Sequence, residues 1–122
     1  MIITYADGCG NSVVISGTRR KVIEYIPVKP ETSSSGVYDG GNHVKKEIDD
    51  VLFTRIQSSI TEAINNSTIQ IKNRVMGSGM ITMGDRGKVI SCILQPGSPE
   101  QRKIETLLKD IISNLDKIRH LH

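Results

Sequence analysis

The sequence predicts an α+β fold: an antiparallel sheet of hairpins with two amphipathic helices packed on one face. Three observations carry this expectation. Runs of β-branched residues separated by glycine-containing turns read as hairpins. Two long stretches place apolar side chains at intervals of three and four, the period of a half-buried helix. Two of the hairpins resemble each other, and each is followed by one of those helices.

In chain order, residues 2–6 read as a short strand, and Asp7-Gly8-Cys9-Gly10-Asn11 as a turn, because Gly and Asn tolerate positive φ. Val13-Val14-Ile15 is strand-like, Gly17-Thr18-Arg19-Arg20 turns the chain, and Lys21 to Val28 returns, with Pro27 marking an edge or an end. Residues 29–42 concentrate Pro, Ser and Gly and read as a long loop, and long loops are often functional. Asn42 is placed to cap a helix whose stripe runs Val44, Ile48, Val51, Leu52, Ile56, Ile60, Ala63 and Ile64. Asn65-Asn66 suits a left-handed helix end. Ile69 and Ile71 alternate with polar neighbours as a half-buried strand does, and Gly77-Ser78-Gly79 breaks or bulges the chain.

Met80 to Met83 and Lys88 to Leu94 flank the turn Gly84-Asp85-Arg86-Gly87, a second hairpin. Ser98-Pro99-Glu100-Gln101 opens the last helix with a cap, a proline at its first position and a capping-box glutamine. Its stripe is Ile104, Leu107, Leu108, Ile111, Ile112, Leu115 and Ile118, and Lys109, Asp110, Asp116 and Lys117 form a solvated far face. Residues 13–27 align with 80–94 at a constant offset of 67, matching Gly17 to Gly84, Arg19 to Arg86 and Lys21-Val22-Ile23 to Lys88-Val89-Ile90. Either a duplication or the shared grammar of hairpins accounts for this.

The totals bound the function. A chain of 122 residues has the length of a single domain, 1–122, with 37% apolar and 24% charged residues. No apolar run approaches the roughly 20 residues that cross a bilayer, and Met1-Ile2-Ile3-Thr4-Tyr5 lacks the features of a signal peptide. Cytoplasm and no membrane are the expectations. Cys9 and Cys92 form no C-x-x-C unit, and Cys92 in its apolar run reads as a small core residue. The net charge of +3 favours an acidic partner only mildly. With Tyr5, Tyr25, Tyr38 and Phe53 as the only aromatics, a single-strand stacking platform is not expected and a small anion is favoured over a polymer.

The repeated G-x-R-x-K carries the functional reading. A glycine turn exposes backbone N–H groups, an Arg adds a planar fork suited to phosphate, and a Lys adds a point charge. Arg19 and Arg86 with Lys21 and Lys88 are the candidate cations; Arg20 strengthens the first copy, and Asp85 beside Gly84 can meet a ribose hydroxyl in the second. Hairpin turns also carry such residues simply because they face water. Phe53, at the edge of its stripe, belongs to the core or stacks on a base; Tyr38, between Gly36 and Gly40, closes over a ligand or anchors its loop. Arg55 and Arg74 read as surface. His43 opens a helix, Asp49-Asp50 suits a helix dipole, and no nucleophile elbow or metal-hydrolase motif is present. Neither catalysis, nor a metal, nor a cofactor is expected.

The size, the hairpin-rich sheet with two helices, and the segment Gly84-Asp85-Arg86-Gly87-Lys88-Val89-Ile90 resemble the phage-encoded Thoeris anti-defence sponge proteins. The resemblance implies a homo-oligomer that sequesters cyclic ADP-ribose isomers made by bacterial TIR-domain enzymes, without degrading them. Capture of cyclic oligonucleotides by some members extends the same role. In that role Arg19, Arg20, Arg86 and Lys88 would hold the diphosphate, Phe53 or Tyr38 would stack on adenine, and Gly84 and Asp85 would meet ribose. Tight capture by so small a chain favours a site between subunits, hence a dimer or a multiple of dimers. The alternative is a nucleic-acid-binding module; a nucleotide enzyme and a ligand-free structural protein are the others.

Overall fold

The computed structural model describes residues 1–27 and 43–120, the side chains of 114–120 excepted. The whole of the expected long loop, residues 29–42, Tyr38 and Asn42 included, lies outside the described residues. Seven strands, β1 (Ile2–Ala6), β2 (Ser12–Gly17), β3 (Lys21–Ile26), β4 (Val44–Glu47), β5 (Gln70–Ile71), β6 (Gly79–Asp85) and β7 (Lys88–Leu94), form one antiparallel sheet ordered β4-β3-β2-β1-β6-β7-β5. Helices α1 (Asp50–Asn65) and α2 (Pro99–His120) cover one face, as an α+β layer requires. No helix among the described residues is long and apolar enough to cross a membrane.

Side chains alternate across each strand, so pairing sorts them into rows. On the helix side, Ile23, Ile15, Ile3, Met83 and Ile90 stand side by side, and next to them Tyr25, Val13, Tyr5, Ile81 and Cys92. Phe53, Ile56, Ile60 and Ala63 of α1 and Ile104, Leu108 and Ile111 of α2 close the core over them. The α1 stripe is as expected apart from Val51, which is 69% exposed.

Several boundaries differ from expectation. Residues 44–47 form an edge strand paired with β3, and α1 starts at Asp50 with Asp49 as its cap, Oδ1 accepting from Leu52 N at 2.8 Å. Val44 and Ile48 fit a helical stripe, but Val44 and Lys46 also alternate as strand residues, and pairing with β3 satisfies backbone groups that a helix would satisfy itself. His43 therefore precedes a strand, its Nε2 2.7 Å from Glu24 Oε2. Asn66 ends α1 in extended backbone (φ −101°) and caps a 3₁₀ turn, Ser67–Ile69, so the left-handed end does not form. That turn shortens the next strand to Gln70–Ile71. Gln101 closes no reciprocal capping box: its Nε2 donates to Gly77 O (2.9 Å) and Glu105 Oε2 (2.9 Å), while only Ser98 Oγ caps α2.

The internal similarity is not a structural repeat. The first hairpin pairs Gly17 with Lys21 around a three-residue loop; the second pairs Asp85 with Lys88 around the two-residue loop Arg86-Gly87. The one-residue change of register puts the aligned residues of β2 and β6 on opposite faces, while those of β3 and β7, such as Ile23 and Ile90, keep the same face. Val13 and Ile15 are buried, whereas their counterparts Met80 and Thr82 lie on the bare face.

Candidate functional site

Strand β1 inserts between β2 and β6, and this placement decides where the two turns go. Ile2 pairs with Ser16 on one side and with Gly84 on the other. Both turns therefore lie at the same end of the sheet, on either side of Met1. Gly17 N donates to Met1 O at 2.8 Å, and the Met1 amino nitrogen is 3.8 Å from Asp85 Oδ1. Three strand spacings separate the turn centres, about 14 Å. Arg19, Arg20, Lys21, Arg86 and Lys88, five of the expected site residues, share this edge.

The two turns are built differently. Arg86 (φ 50°) and Gly87 (φ 80°) both take positive φ, the signature of a type I′ turn that matches the twist of its strands. Strand pairing runs through Gly84 and Asp85, so those two residues belong to β6 and not to the turn. Asp85 and Lys88, with Met1, Met83, Arg86 and Ile90, line an open depression of about 370 Å³ on the helix side. Ile90 belongs to the core row yet is 48% exposed, because the helices do not cover this corner.

The first turn is braced from below. Phe53, 8% exposed, packs its ring directly under Gly17, where a Cβ would collide with Cζ. Lys21 Nζ sits 5.7 Å from that ring's centroid, 3.6 Å from Asp50 Oδ1 and 3.4 Å from Thr18 O. Phe53 thus supports the turn and holds Lys21; its ring is committed to the core and is not offered for stacking on a base. Arg19, Arg20, Arg86 and Lys88 have no hydrogen-bond or ion-pair partner among the described residues. Guanidinium and ammonium groups left unpaired in this way attract and orient an anion.

Other features escaped the sequence reading. At the opposite end of the sheet, Tyr5 Oη donates to Glu105 Oε2 at 2.6 Å, and the same carboxylate oxygen accepts from Gln101 Nε2. Burial, then the hydrogen bond to Glu105, pushes the Tyr5 phenol well above its usual range. A cavity of about 220 Å³ lies beside it, lined by Asp7, Cys9, Asn11, Tyr25 and Lys109 among others. The pair is 100 residues apart in sequence, so no spacing signals it. A wider groove of about 720 Å³ runs between the helices past Arg55, Arg102 and Lys103. Lys103 is already paired with Glu62 (3.0 Å). Arg74 ties the 72–78 loop together, donating to Ser78 O at 2.8 Å. Burial raises the half-buried Cys92 thiol, consistent with a core role.

The fold and its edge of unpaired cations define a two-layer α+β protein with a candidate anion site. No family model, curated protein or solved structure matches the chain.

Proposed function

We propose that this protein binds and sequesters a compact nucleotide diphosphate of the cyclic ADP-ribose type without degrading it, in the cytoplasm of the cell that makes the signal. The observation that carries the reading is the convergence of the two Arg/Lys turns on one end of the sheet, with four of their cations unpaired among the described residues. In this reading Arg19 and Arg20 approach the ligand from one side of Met1, and Arg86 and Lys88 from the other. The depression beside Arg86 admits the diphosphate, and Asp85 accepts from a ribose hydroxyl. The protein acts as a homo-oligomer, a dimer or a multiple of dimers, so that a second copy can complete each site.

The test is a mass balance. Purified protein is incubated with a cyclic ADP-ribose isomer, free nucleotide is measured, and the protein is then heat-denatured. Depletion followed by full recovery of the intact nucleotide is the expected result. Depletion with products instead of recovery would replace sequestration by catalysis. No depletion, with salt-sensitive binding of long DNA or RNA, would replace it by a nucleic-acid-binding module.

A further inference from the structure

The helices cover only one face of the sheet. The other carries three rows of side chains set by strand pairing. The central row is Glu24, Val14, Thr4, Thr82 and Ser91, from β3 across to β7. On β1, β2, β6 and β7 this face bears no charged residue; it is made of aliphatic and hydroxyl side chains. Ile2 (52%), Ile26 (42%) and Val89 (69%), three of the exposed large apolar residues of the chain, lie on it. A charge-free sheet face of this breadth is unusual on a protein that meets only water.

We infer that a second copy of this chain packs on the bare face, sheet against sheet. Face-to-face packing of two twisted sheets, about 10 Å apart, is an established way to bury such surfaces. Six strands about 4.8 Å apart and about 18 Å long, the charged β3–β4 margin included, offer roughly 500 Å² per copy, or roughly 1,000 Å² for two, the lower bound for a biological interface. The charges support self-pairing. They are confined to the β3–β4 margin, where Glu24, Lys45 and Glu47 mix both signs. With its two-fold axis across the strands, an isologous interface sets that margin against itself, and a mixed-sign strip tolerates this where a single-sign strip would not. The edges are closed to strand addition: β4 is Val-Lys-Lys-Glu and β5 has only two residues. Association therefore falls to the face. This interface lies on the face opposite the helix-side depression, so it rests on the sheet and not on the ligand.

The experiment is sedimentation velocity without nucleotide, at about 100 µM, on the wild type, Thr82→Arg and Ser91→Arg. Thr82 sits mid-row, and Ser91 is exposed on β7, where a longer side chain fits the folded monomer. The wild type should sediment at twice 13.4 kDa, and each variant at 13.4 kDa with unchanged circular dichroism. A monomeric wild type overturns the inference, as does a dimer that persists in a folded variant. If Thr82→Arg does not fold, Ser91→Arg alone decides. Nucleotide depletion is scored separately, so a wild-type dimer that binds no nucleotide defeats the ligand reading and leaves the interface standing.

Discussion

The two G-x-R-x-K hairpins share their letters and little else. In the first, Gly17 is a spacing device: Phe53 fills the volume a side chain would need. In the second, Gly84 is a strand residue with open surroundings, its nearest neighbours at 3.8 Å, and the conformational demand falls on Arg86 and Gly87. One turn is held from beneath by packing, the other by its own backbone twist. The same cations are thus delivered to one end of the sheet by two unrelated constructions, and sequence similarity between hairpins is no guide to which residue bears the load.

Substitutions should separate the two. Phe53→Ala should have the largest effect, about 3–4 kcal/mol of stability, because it empties a core site and releases the first turn; chemical denaturation measures it, and a loss under 1 kcal/mol would show that the ring does not brace the turn. Gly17→Ala should cost about 2 kcal/mol through overpacking, while the aligned Gly84→Ala stays within about 0.5 kcal/mol. Equal losses at the two glycines would restore the equivalence that the register denies.

The far end of β1 offers a third contrast. The Tyr5 phenol is raised by burial and by Glu105, so the folded state holds its proton more tightly than the unfolded chain does. That contribution is complete below the unfolded value near pH 10. Above it, stability should fall by up to about 1.4 kcal/mol per pH unit, and Tyr5→Phe should remove this slope. Urea titrations between pH 9 and pH 11 read it directly. The smallest expected effect is at Arg86, whose left-handed backbone costs a non-glycine residue energy: Arg86→Asn should raise stability by about 0.5–1 kcal/mol while removing a proposed binding cation. Thermal denaturation beside a binding assay checks both halves.

The hairpins, both helices and most of the core were legible, because period-2 and period-3.6 patterns of Ile, Leu and Val declare which face is buried. The strand at Val44 was not, since Val44 and Ile48 satisfy both periods and only pairing with β3 breaks the tie. The candidate site residues were legible as turn cations and not as a place. Arg19 and Arg86 come to the same end of the sheet because β1 inserts between β2 and β6, a choice made by sheet order and invisible in local spacing. The Tyr5–Glu105 bond joins strand to helix across almost the whole chain and had no local signal.

The central claim is that both turns grip one ligand. Calorimetric titration of a cyclic ADP-ribose isomer into the wild type, Arg19→Ala, Arg86→Ala and the double variant tests it. Each single change should weaken binding by more than about 1.5 kcal/mol, with a coupling of at least about 0.5 kcal/mol between them. Unchanged affinity in either single variant, or strict additivity in the double, would contradict a shared site.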